Sequence, residues 1–223
     1  MSGPAFSVEG IFDALAMQPR RGGGPGRAIM FVAARRHEGV TTAARAVANA
    51  AGPGAVYAVD LDLKRNALAK ALSADGELGP KIDGALNGVS FYSVRDLPKA
   101  PQSYFYHRVG RSRVYAGVFD LRALPSGARV GISAQPDYWN TARVGGAFVV
   151  VDAPALERSS IALRVAPHMD GVVLVVGSGK GAAPAALAAK AALVDVGANL
   201  MGLVYSGADA PVMAIERLLR QAG

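Results

Sequence analysis

The chain has 223 residues, 51% of them hydrophobic, which suits one domain with a sizeable core and excludes a disordered chain. No apolar run reaches the ~18 residues needed to cross a bilayer, and the start, Met1-Ser-Gly-Pro-Ala-Phe, lacks the basic and long apolar segments of a signal peptide, so a cytoplasmic protein is expected. The absence of cysteine excludes disulfides, thiolate metal sites and thiol nucleophiles, while the net charge of +7 is scattered along an Ala- and Gly-rich chain, and reads first as composition and only second as an attraction to nucleic acid, anionic lipid or an acidic partner.

Apolar residues at helical spacing predict a short helix over 8–17. Arg20-Arg-Gly-Gly-Gly-Pro-Gly-Arg27 then breaks regular structure and reads as a flexible linker, because it precedes the first strand where a phosphate cradle would follow it. The expected division is therefore residues 1–27, helix and linker, and residues 28–223, one α/β domain. Ala28-Ile-Met-Phe-Val-Ala33 is a buried strand, 41–51 a helix stopped by Gly52-Pro-Gly54, Ala55-Val-Tyr-Ala-Val59 a second buried strand and 66–73 a helix. Between 74 and 146 the pattern is poorer. Val89-Ser-Phe-Tyr-Ser-Val94 reads as a strand, and 113–119 and 128–133 read as two strands across a Leu124-Pro-Ser-Gly127 turn, with local antiparallel pairing. Regular alternation then returns: strands at 147–151 and 171–176, a helix at 182–196 stopped by Gly197, a strand at 200–205 and a closing helix at 211–221. The predicted class is α/β, a mainly parallel sheet with helices on both faces.

In such sheets ligands sit beyond the carboxyl ends of the strands, which selects three segments. The first is Ala34-Arg-Arg-His-Glu-Gly-Val-Thr41, between the first strand and its helix. A P-loop there reads G-x-x-x-x-G-K-S/T; Gly39 and Thr41 fit it, Ala34 and Val40 do not. A helix N-terminus offers free N–H groups and a positive dipole end to an anion, and Thr41 a hydroxyl to Mg²⁺. The ordinary alternative is a strand–helix loop with Thr41 or Thr42 as N-cap. The second segment is Asp60-Leu-Asp62, two carboxylates suited to Mg²⁺, or else a cap by Asp62 on the next turn or helix. The third is Asp152, which ends a buried strand where a Walker B carboxylate would stand. Each is weak alone; their order on successive strands gives them weight.

Together these residues resemble the bacterial polysaccharide-biosynthesis tyrosine autokinases and, behind them, the ParA/MinD group of P-loop ATPases. The autokinase motif S-x-x-P-G-E-G-K-S/T-T is matched at Glu38, Gly39, Thr41 and Thr42; I-D-x-D by Val59-Asp-Leu-Asp62; and V-I-I-D-T-P-P by Val149-Val-Val-Asp-Ala-Pro-Ala155. The likeness continues through 166–180 and 197–205 and is poor in the middle. It implies a nucleotide site at Glu38, Gly39, Val40, Thr41 and Thr42, with Mg²⁺ near Thr41, Asp60, Asp62 and Asp152, and no assigned catalytic residue.

The departures shape the functional expectation. Val40 replaces the phosphate-binding lysine and His37 a loop glycine. Arg35, Arg36 and Lys64 are candidate substitutes that no spacing places in the cradle. The last tyrosine is Tyr205, inside a predicted strand, so the family's tyrosine-rich tail is missing, as is its assembly motif in the N-terminal helix. The resemblance thus implies a degenerate member, a regulatory or scaffolding partner in surface polysaccharide biosynthesis and export, similar to small stand-alone proteins of holdfast-type systems. Mg-ATP or Mg-ADP is its cofactor only if the degenerate site still binds. Its expected partner is a membrane copolymerase or chain-length protein that brings it to the inner membrane face. A homodimer is left open, and neither a membrane span nor nucleic acid is expected. Two alternatives stand: an active ATPase or kinase in which an arginine replaces the lysine, and a ParA-like DNA-binding or positioning factor.

Overall fold

The computed structural model describes residues 6–97 and 100–206. In chain order its elements are α1 (Val8–Ala16), β1 (Arg27–Ala33), α2 (Val40–Ala50), β2 (Val56–Asp60), α3 (Ala67–Leu72), β3 (Leu78–Asp83), β4 (Tyr92–Val94), β5 (Tyr104–Val109), β6 (Val114–Phe119), β7 (Val130–Ile132), α4 (Asp137–Val144), β8 (Phe148–Asp152), α5 (Ile161–Val165), β9 (Gly171–Gly177), α6 (Ala182–Asp195) and β10 (Leu200–Ser206). The helix expected at 211–221 lies outside the described residues.

Eight strands form one sheet in the order β10-β9-β1-β8-β2-β6-β5-β3, parallel from β10 to β6. β5 runs antiparallel to both β6 and β3. The central strands are apolar runs because both of their faces are covered. Ile29, Phe31, Val150, Val173 and Val175 point to the side of α1, α2 and α3, and Met30, Val32, Val149, Val151, Val172 and Leu174 to the side of α4, α5 and α6. The period-2 alternation of a strand thus makes two cores from one apolar sequence. Helix α2 buries only small or slender side chains, Ala43, Ala44, Val47 and Ala48, which lets it lie close to the sheet.

Several regions differ from the sequence expectation. β6 and β7 are not a hairpin: β2 and β5 occupy both edges of β6, so β7 pairs with β4 in a separate two-stranded sheet. β3, β5, α4 and α5 were not predicted: β3 is a largely exposed edge strand containing Gly79 and Pro80, β5 mixes His107 and Arg108 with its apolar residues, α4 is polar, and α5 has only five residues. The Gly-rich segment is not a loose linker. A Cβ on Gly24 would lie 2.3 Å from the Arg143 carbonyl oxygen, and one on Gly26 2.4 Å from that of Ala147, so the glycines permit close packing on the end of α4. Arg21 N–H donates to Asp170 Oδ1 at 2.6 Å. Asp170 Oδ2 also accepts from Ala28 N–H at 2.6 Å and Arg143 Nε at 2.8 Å, an ion pair that is almost wholly buried.

Candidate functional site

Because β1, β8 and β2 are neighbours, their carboxyl ends bring the three predicted segments together. In the ladder Asp152 stands opposite Phe31 on one side and Asp60 on the other. A cavity of about 370 Å³ opens there, and Glu38, Gly39, Val40, Thr41, Thr42, Asp60, Asp62 and Asp152 all line it.

The loop from β1 to α2 turns on two left-handed residues, His37 (φ 62°) and Gly39 (φ 88°). At Gly39 the conformation favours glycine, and a Cβ would lie 2.2 Å from Ser206 Oγ on β10. Gly39 is itself the N-cap, without any side-chain cap, so neither Thr41 nor Thr42 caps the helix. The first helical hydrogen bond runs from Ala43 N–H to the Gly39 carbonyl at 3.0 Å, and the N–H groups of Val40, Thr41 and Thr42 lack an intrahelical acceptor. Their hydrogens and the helix dipole make an electropositive cradle.

Side chains fix this loop from within. Glu38 is buried and accepts from Arg35 N–H and Arg35 Nε, each at 3.1 Å. Arg35 Nη1 donates to the Lys180 carbonyl at 2.9 Å. Arg36 N–H donates to Glu157 Oε1 at 2.8 Å. Val40 lines the cavity and also packs against the core beneath α2.

The acids divide their work. Thr41 Oγ1 donates to Asp152 Oδ2 at 2.7 Å. Asp60 Oδ1 accepts from Asp62 N–H at 2.7 Å, and Oδ2 from Ala67 N–H at 2.6 Å and Leu68 N–H at 3.3 Å. The capping that the sequence offered to Asp62 thus falls to Asp60, which holds the start of α3. Asp62 is bound instead by Arg158 Nη1, with Arg65 Nε at 3.6 Å. Sequence reasoning missed Arg158 and gave Arg65 no role; nothing local signals that either would meet Asp62.

Burial, with help from the Asp60 and Asp62 charges, pushes the Asp152 carboxyl up to about 8, against the opposing Thr41 hydrogen bond. Burial likewise pushes Asp60 up to about 6, against the N–H donors of Asp62, Leu68 and Ala67. A cation bound there would favour the charged forms and so oppose both shifts. Among the described residues no group of three His, Asp or Glu side chains could hold a metal ion by itself. The donor set, one hydroxyl beside a buried carboxylate, instead suits Mg²⁺ that shares its coordination with phosphate oxygens.

No protein-family model matches the sequence, and no curated protein matches it. Solved structures do. The kinase domain of the Escherichia coli tyrosine kinase ETK is 19% identical, with a TM-score of 0.55 over 84% of this chain and 70% of that one. The chimerical protein CapA2B2 is 14% identical, with a TM-score of 0.55 over 88% and 81%. The Pyrococcus furiosus cell division ATPase MinD is 20% identical, with a TM-score of 0.59 over 87% and 80%. At these identities the likeness establishes architecture: the chain has the α/β P-loop NTPase fold found in the ETK kinase domain and in MinD.

Proposed function

We propose that this protein is a P-loop phosphate binder that takes Mg-ATP or Mg-ADP weakly and transfers phosphate poorly or not at all, acting as a regulatory or scaffolding partner in surface polysaccharide biosynthesis and export, of the holdfast type. The observation that carries the reading is the Thr41–Asp152 hydrogen bond of 2.7 Å beside an uncapped helix start whose first residue is Val40. Thr41 and Asp152, the residues proposed to face Mg²⁺, stand together beside that helix start, and Val40 brings no charge to it. When bound, Mg²⁺ would neutralise phosphate charge, with Thr41 and Asp152 as its holders. Asp60, engaged by three N–H groups, would act by orienting α3 and by adding negative potential. Glu38 would serve the site by fixing Arg35 and the loop.

The missing lysine decides between binder and transferase. A charge-assisted hydrogen bond contributes about 1.5–3 kcal/mol, so affinity is expected to be roughly 10- to 100-fold below that of a lysine-bearing loop, with transfer impaired further. The polysaccharide assignment is supported by the motif likeness to the autokinases and by the fold shared with the ETK kinase domain. A membrane copolymerase or chain-length protein is the partner proposed on the same ground. No described helix is long and apolar enough to cross a membrane, so membrane location would come through that partner. Calorimetric titration with Mg-ATP and Mg-ADP tests the reading: weak, saturable binding is expected, and a low-micromolar or tighter dissociation constant with steady turnover would reinstate the active ATPase.

A further inference from the structure

We propose that Arg158 is the phosphate-facing cation of this cavity, meeting the phosphates from the loop after β8 and offsetting in part the lysine charge absent at position 40, and that Asp62 is its positioning residue rather than a metal ligand. The inference rests on the reading above, that the cavity takes nucleotide phosphates.

Four arginines line the cavity: Arg35, Arg36, Arg65 and Arg158. Arg35 is committed to Glu38 and to the Lys180 carbonyl. Arg36 is tied to Glu157 through its backbone N–H at 2.8 Å, with its guanidinium 3.8 Å away and 55% of the side chain exposed. Arg65 is 57% exposed and approaches Asp62 only to 3.6 Å. Arg158 differs: its side chain is 30% exposed and is hydrogen-bonded to an Asp62 that is only 14% exposed. A guanidinium has five N–H donors in a planar fork, so one bond to Asp62 leaves a face suited to bidentate contact with a phosphate.

Backbone bonds hold the Arg158 loop against the P-loop. Leu156 N–H donates to the Ala33 carbonyl at 2.9 Å and Glu157 N–H to that of Ala34 at 3.1 Å, so residues 156–157 track the exit of β1. Arg158 N–H and Ser159 N–H both return to the Ala155 carbonyl, at 2.9 and 3.1 Å, and close the turn that carries the guanidinium. Arg65 approaches the same oxygen, so Asp62 Oδ2 has two cations to displace before it could ligate a metal. Its physical task here is to hold a long, rotamer-rich side chain in place, which lowers the entropy lost when an anion arrives.

The test is calorimetric titration with ATP, once with Mg²⁺ and once with EDTA, on native protein and on Arg158→Ala, Arg158→Lys, Arg65→Ala and Asp62→Asn. Melting temperatures establish that each variant is folded. Expected results are affinity about 10-fold or more lower in Arg158→Ala under both conditions, partial recovery in Arg158→Lys, and a change below about 3-fold in Arg65→Ala. Asp62→Asn should weaken binding in EDTA as much as in Mg²⁺, which a metal ligand would not do. If native protein binds ATP and folded Arg158→Ala binds it equally, the inference fails while the nucleotide reading stands. A loss in Asp62→Asn confined to Mg²⁺ overturns the positioning role. No binding by native protein at millimolar ATP overturns the inference and the nucleotide reading together.

Discussion

At the scale of single residues the cavity at the end of β1 sets polar partners, Thr41 and Asp152, beside the apolar Val40. Val40→Lys should return charge to the cradle. The change has a cost in the empty protein, because Val40 also packs against the core under α2. With Mg-ATP present, binding linkage should outweigh that cost: a ligand at 100 times its dissociation constant stabilises by about 2.7 kcal/mol, roughly 5–10 °C for a chain of this size. Thermal unfolding with and without Mg-ATP should show a clearly larger shift in the variant than in native protein, and equal shifts would remove position 40 as the cause of weak binding. Asp152 supplies a second prediction, in pH. Its carboxyl and that of Asp60 titrate higher in the folded chain than their ordinary value of 3.8. The folded state therefore binds protons more tightly, and the stability this confers is fully present below pH 3.8 and lost as pH rises through about 6 and then about 8. Asp152→Asn keeps an acceptor for Thr41 and removes the titration. Between pH 6.5 and 8.5 its melting temperature should fall less than that of native protein and end above it; parallel curves would mean that Asp152 is charged throughout.

At the scale of elements, short polar connections are what fix the apolar strands in place. The Gly-rich segment, the end of α4 and the turn before β9 meet at Asp170, which accepts from Arg21, Ala28 and Arg143. Arg143 also donates to the Asn140 side chain at 3.0 Å and to the His168 carbonyl. Arg143 is 1% exposed and Asp170 not exposed at all. Removing one member leaves a buried charge uncompensated, at about 3–5 kcal/mol. Arg143→Met should therefore lower the urea midpoint steeply although it conserves much of the volume; a loss under about 1 kcal/mol would show that the pair contributes little beyond packing. The same logic explains α3, whose first N–H groups are held by Asp60: a residue reserved by the sequence for chemistry is also an architectural cap.

At the scale of the whole molecule, the sheet decides which side chains chemistry can reach. All 7 tyrosines fall within the described residues, and none is exposed. Tyr104, Tyr106 and Tyr138 are buried in one aromatic cluster with Phe91 and Trp139, and Tyr205 is buried in β10. Tyr57 stacks on Tyr106 with ring centroids 4.7 Å apart. A phosphate on any buried member would place close to two negative charges in an apolar core. Incubation with labelled ATP and Mg²⁺ should therefore leave the native chain without phosphotyrosine, and stoichiometric label on a folded chain would reverse the reading of impaired transfer.

The amino-acid sequence determined the parallel core and the order of the site. Uniform apolar runs can be satisfied only between two layers of helices, and the residues that end those runs must emerge at one edge of the sheet. That is why Thr41, Asp60, Asp62 and Asp152 were legible as a set and why they share one cavity. Tertiary structure alone decided what each of them does. Thr41 meets Asp152 across 111 residues, Asp62 meets Arg158 across 96, and Arg21 meets Asp170 across 149. No local period encodes such pairs. The partners of β6 escaped the sequence for the same reason: a turn signal between two strands marks where the chain bends, but which edge a strand joins depends on the edges already filled.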